Sequence, residues 1–185
     1  MFTFIALSLA LAGALMLVAS GLQHIRNHRP LLASLLAHRM LTYRSARLVA
    51  RTLPGAQLVL GALLLLSLNV TLPSWLSRPV VAATSLLYLT MAAYLAKLMF
   101  QGRRADCNCF GGREPVTWFS CSRAFVPGVA AAFLALTPAA LAREPRVSVL
   151  LVGGSVAALA MSTHRLASRL VRAPDLAVGH STEDR

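Results

Sequence analysis

Long uncharged apolar runs alternate with short arginine-rich segments along the chain. Five runs stand out, at 1–22, 53–72, 79–100 (with only Lys97 charged), 124–142 and 147–163, the last being the shortest. A helix rises about 1.5 Å per residue, so about 20 residues cross the roughly 30 Å of bilayer hydrocarbon. Each run meets or approaches that length. Inside hydrocarbon an unpaired backbone amide is too costly to keep, so only helices and closed barrels cross, and none of these runs shows the polar alternation of barrel strands. The predicted fold class is therefore all-α, a polytopic transmembrane helical bundle of four to five spans. It forms one integral membrane domain over residues 1–172, followed by a polar, disordered tail at 173–185.

The first run ends in small residues, Ala19, Ser20 and Gly21, as a cleavable secretory signal does. No Lys or Arg precedes Arg26, however, and the uncharged stretch is long for the apolar region of a signal, so it is read as a retained helix. After it, helical spacing gathers Leu31, Leu35, Thr42, Ala46, Val49 and Leu53 on one face and Arg44, Arg47 and Arg51 on the other. This predicts an interfacial amphipathic helix after the first span, with a solvated linker as the alternative. Pro54 is expected to open the second span, where a missing N–H is harmless.

Composition agrees with this pattern. The 185 residues are 57% hydrophobic and 13% charged, more apolar than one soluble core requires, and the lipid bilayer is the first partner. The formal net charge of +12 is assigned to membrane topology and anionic lipid, not to nucleic acid. Six arginines lie between 26 and 51; Lys97, Arg103, Arg104, Arg113 and Arg123 flank the loop after the third span; Arg165, Arg169, Arg172 and Arg185 follow the fifth run. These 15 of 18 basic residues fall on one side, and the positive-inside bias makes that side cytoplasmic.

The loop between the third and fourth runs holds the concentrated chemistry: Asp106-Cys107-Asn108-Cys109-Phe110-Gly111-Gly112-Arg113, with Cys121 beyond. Two cysteines one residue apart close only a small strained ring, which is easily reduced and suits exchange better than stapling. Asn108, Gly111 and Gly112 let the chain bend around the sulfurs, beside Phe110. Arg103, Arg104 and Arg113 favour the thiolate and Asp106 opposes it. Cys121 is predicted near the start of the fourth span, with Thr117, Ser120 and Ser122 as candidate caps, and is a resolving partner or second reactive thiol on this reading. The alternative for Cys121 is an inert small hydrophobe. Three cysteines without a nearby histidine fall short of the four ligands of a structural zinc, so no metal is predicted; His24 and His28 are read as solvated residues at the membrane edge. Redox chemistry of this kind belongs outside the cytoplasm, against the arginine bias, and the side of the loop stays open.

Within the spans the polar groups are Gln57, Asn69, Thr84, Ser85 and the tyrosines, expected to bond between helices. No carboxylate lies in a span, which argues against a proton-coupled transporter.

At the loop, Cys107-Asn108-Cys109-Phe110-Gly111 resembles the Cys-Gly-Cys-Phe-Gly signature of the methylamine utilisation protein MauE family, within the wider DoxX-like group of membrane proteins. Tyr88 and Tyr94 in the third span, the Arg103–Arg104 pair and Arg123 add to the likeness, and weaker similarity runs from about Gly21 to Leu136. The chain departs from the family at Asn108, in place of Gly, and at Gln57, near which relatives tend to carry an acid. The resemblance implies a membrane component of a thiol–disulfide relay, an oxidoreductase that works with a thioredoxin-like partner to form or deliver disulfides in an exported client. In the family that client is the small subunit of methylamine dehydrogenase, and a quinone is a candidate electron acceptor. The competing readings are a non-catalytic membrane scaffold or chaperone and a small-solute transporter.

Overall fold

The computed structural model describes residues 2–69, 73–101, 106–107, 114–137, 154 and 157. Its elements in chain order are α1 (Phe2–Arg26), α2 (His28–Ala37), α3 (Tyr43–Asn69), α4 (Ser74–Phe100), β1 (Asp106–Cys107), β2 (Glu114–Pro115) and α5 (Trp118–Leu136). Among the described residues, α1, α3, α4 and α5 are long and apolar enough to cross a membrane. The chain is an α-helical integral membrane bundle. The fifth run, 147–163, lies outside the described residues apart from helical Gly154 and Ala157, the latter buried. The tail at 173–185 also lies outside them.

The four spans alternate in direction and close into a ring in which α1 packs on α3 and α5, and α4 on α5 and α3. Small residues set how closely they approach. A Cβ added at Gly21 would lie 2.9 Å from both the Leu58 amide nitrogen and the Pro54 carbonyl oxygen, and one at Gly61 would lie 2.9 Å from the Ala14 oxygen. Thus α1 and α3 meet backbone to backbone. In lipid, where no hydrophobic drive separates helix from tail, such close van der Waals contact is a main source of helix association.

Polar side chains tie the ring across its middle. Tyr88 on α4 donates to the Gly13 carbonyl of α1 at 2.7 Å, and Ser85 donates to the Gly128 carbonyl of α5 at 2.9 Å. The interhelical bonding expected of Ser85 and Tyr88 is therefore present. Thr84 differs: its hydroxyl returns to Val80 O of its own helix, 2.8 Å away. The side chain of Asn69 lies outside the described residues.

Several boundaries move. The second span begins ten residues earlier than its apolar run, at Tyr43, and Pro54 sits inside α3, not at its start. Arg44, Arg47 and Arg51 lower the local hydropathy without breaking the helix, because all three point to the exposed side. The third and fourth spans likewise begin early, at Ser74 and Trp118. The predicted amphipathic helix is split in two: α2 turns back at Arg39, whose φ of 50° is left-handed, and its other half is the first turns of α3. Leu31 and Leu35 then pack against Ala46 and Ala50, so the two halves bury their apolar faces largely against each other.

Candidate functional site

One end of the bundle collects most of the polar chemistry. There α1 ends, α2 and the turn follow, α3 begins, α4 ends, β1 and β2 pair, and α5 begins. The strand that carries Cys107 and the arginines between 26 and 51 therefore lie at one end, as their order in the chain predicts for odd-numbered connections.

The base of the cysteine stretch is built by the two helices it joins. Phe100, the last residue of α4, meets Trp118, the first of α5, edge to face with ring centroids 6.2 Å apart. Both rings are largely exposed, at 80% and 68%, as aromatic residues at a membrane–water boundary commonly are. Beyond them the backbone forms a two-residue antiparallel ladder, with Asp106 opposite Pro115 and Cys107 opposite Glu114. Cys107 is thereby held at the neck of the segment that contains Cys109. Arg103, Arg104, Asn108, Cys109, Phe110, Gly111, Gly112 and Arg113 lie outside the described residues, as do the side chains of Asp106 and Cys107.

Cys121 sits in the first turns of α5, as its spacing from Thr117 predicts. Thr117 is the N-cap, its Oγ1 accepting from the Ser120 amide at 3.4 Å. The thiol is buried, 7% exposed, in an apolar cluster with Leu95, Leu98 and Ala124, and its Sγ lies 3.3 Å from Met99 Sδ. Arg123, also buried, lies over the Phe119 ring at 5.6 Å. Met40 of the α2–α3 turn and Val116, next to β2, pack on the same cluster, so the turn and the residue that leads from β2 into α5 share a floor.

Gln57 is fully buried, receives Ser20 Oγ at 3.4 Å on its carbonyl oxygen and directs its amide at Met91 Sδ, 3.9 Å away. It bridges α3 to α1 and α4, the role of an uncharged structural polar group.

One histidine differs from its sequence reading. His24 is 1% exposed rather than solvated at the membrane edge, because α3 covers the end of α1; His28, past the helix break at Asn27, is exposed as expected. His38 is 2% exposed and its Nδ1 lies 2.7 Å from Tyr94 Oη on α4. Nothing in local spacing pairs residues 38 and 94. Among the described residues no three His, Cys, Asp or Glu side chains gather to hold a metal ion.

The model of the family described as methylamine utilisation protein MauE matches residues 1–143, which span α1 to α5 and the whole cysteine stretch. No curated protein and no solved structure matches the chain.

Proposed function

The chain belongs to the methylamine utilisation protein MauE family, and on that premise we propose that it is a membrane component of a thiol–disulfide relay in the bacterial plasma membrane, serving maturation of an exported protein in methylamine utilisation. The observation that carries this reading is the ladder that pins Cys107 opposite Glu114. It holds one sulfur-bearing residue at the neck of a polar segment whose next cysteine is two positions on, a spacing suited to a strained, readily reduced bond.

The exchange balances as follows. A thiolate of a thioredoxin-like partner attacks the Cys107–Cys109 disulfide, forming a mixed disulfide and releasing one loop thiolate, which takes up a proton. The partner's second thiol then displaces the remaining loop sulfur, leaving an oxidised partner and a reduced loop. Two electrons have moved to the loop. A lipid-soluble quinone, reduced to quinol, is the class of acceptor that regenerates the disulfide. Cys121 enters as a resolving thiol only when the first turn of α5 opens, since its sulfur is packed against Met99. Arg103, Arg104 and Arg113 favour the thiolate state and Asp106 opposes it.

Oxidation of the partner, followed by gel shift after alkylation in cells carrying Cys107→Ser, Cys109→Ser or Cys121→Ser, tests the reading. Loss with either loop variant and slowed oxidation with Cys121→Ser are expected. If both loop variants still support oxidation, the exchange reading fails and a scaffold that only anchors the partner replaces it.

A further inference from the structure

Where α1 gives way to α2, a cavity of about 500 Å³ opens between the end of α1 and the first turns of α3. Its polar lining is His24, His28, Tyr43, Arg47 and Arg51. Arg47 and Arg51 stand one helical turn apart on α3, so their guanidinium groups project from the same side. The uncapped N-terminus of α2, whose first residue is His28, adds the positive end of a helix dipole to the same rim. Residues 1–105 contain no Asp or Glu, whereas six arginines lie between 26 and 51.

The rest of the wall is apolar, with Ile25, Leu32 and Pro54. Ile25 is half exposed, and Leu22, one turn deeper on α1, continues an exposed apolar strip toward the hydrocarbon. A site with a cationic head end, an apolar flank and a position at the level where spans leave the bilayer matches a molecule built the same way. Arginine binds phosphate oxygens through paired, charge-assisted hydrogen bonds, and basic pockets at the membrane boundary take lipid head groups on that basis.

We propose that this cavity binds a phosphate head group, that of an anionic phospholipid, with Arg47 and Arg51 as its charge partners and Ile25 and Leu32 against the first carbons of its chains. The lining residues fall between 24 and 54, and binding there does not depend on thiol exchange. Its occupant supplies the counter-charge that the chain lacks over its first 105 residues, and it would wedge the α1–α2 break against α3.

The purified full chain in micelles, titrated with dioleoyl phosphatidylglycerol or dioleoyl phosphatidylcholine and read by native mass spectrometry and by apparent unfolding temperature, tests this. Phosphatidylglycerol is expected to be retained and to raise the unfolding temperature, and phosphatidylcholine is not. The Arg47→Gln/Arg51→Gln variant is expected to weaken retention about tenfold or more, since it removes two charge-assisted contacts. Arg29→Gln/Arg44→Gln, the same change in charge outside the cavity, is expected to retain the lipid. Millimolar inorganic phosphate distinguishes the source: no shift from phosphate alone assigns the lipid, and an equal, Arg47- and Arg51-dependent shift assigns a soluble phosphate ester to the same head-group site. Equal retention by both double variants, or equal loss in both, overturns the proposal.

Discussion

His38 Nδ1 and Tyr94 Oη lie 2.7 Å apart and join the end of α2 to the third span, 56 residues away in sequence. The rings are 5.7 Å apart and tilted at 47°, so polar bond and ring contact act together. This pair holds the α2–α3 turn down on the floor that it shares with Cys121.

Removing that bond is expected to loosen the turn without unfolding the spans. Tyr94→Phe should cost about 1 kcal/mol, a typical net value for one hydrogen bond, and lower the apparent unfolding temperature by about 2–4 °C. A double-mutant cycle with His38→Phe isolates the pair, because both single changes remove the same interaction. Additive losses in the cycle would mean that the two side chains are merely neighbours.

The α1–α3 contact makes a sharper contrast between two glycines. Gly21→Ala places a methyl 2.9 Å from two backbone atoms that cannot swing aside, so the helices must part, at a cost of about 1–3 kcal/mol. A Cβ at Gly55 meets nothing within 4 Å. Gly55→Ala is therefore expected to be neutral or to add up to about 1 kcal/mol through helix propensity. Thermal unfolding of both variants in one detergent reads the difference, and equal effects would show that α1 and α3 do not touch here.

Arg39 is the residue with positive φ outside glycine among those described, one position past the cap of α2. A left-handed conformation costs a side-chain-bearing residue about 1–2 kcal/mol, part of which glycine returns as entropy in the unfolded chain. Arg39→Gly should stabilise the protein by about 0.5–1 kcal/mol, while Arg39→Ala, which removes the same charge but keeps a Cβ, should not. A gain of equal size in both variants would trace the effect to charge instead of backbone.

What was legible in the sequence followed from hydrocarbon and what was not followed from contacts over long separations. The spans announce themselves because lipid selects composition over whole helices, and Cys121 falls in the first turns of α5 because Thr117 caps locally. Where α3 begins was hidden, since Arg44, Arg47 and Arg51 read as the polar face of a separate interfacial helix before the apolar run, although one continuous helix accepts them on its exposed side. The burial of His24 and the His38–Tyr94 pair depend on how α2 folds back at Arg39, a turn that no glycine or proline marks at that position. The two-residue ladder at Cys107 is too short to carry a periodic signal, and Pro115 argues locally against a strand.

The reach of Cys121 is the point on which its resolving role turns. Its sulfur, in the first turn of α5, is packed against Met99 within the cluster of Leu95, Leu98 and Ala124, and that turn is held at its start by Thr117 accepting from Ser120. In a Cys107→Ser/Cys109→Ser background, Cys121 should react with a membrane-impermeant maleimide at least about tenfold more slowly than the loop cysteines do in a Cys121→Ser background after mild reduction, because reaction waits for local opening. Thr117→Val removes the cap acceptor while keeping the shape of the side chain. Loss of a cap of this kind costs about 1 kcal/mol, which raises the open population and hence the labelling rate about fivefold. The same experiment on intact cells reports which side the cysteine face occupies, where redox chemistry and arginine bias point in opposite directions. Rapid labelling of Cys121 in the unaltered helix, insensitive to Thr117→Val, would show that its sulfur is open to solvent and that the packed first turn does not gate it.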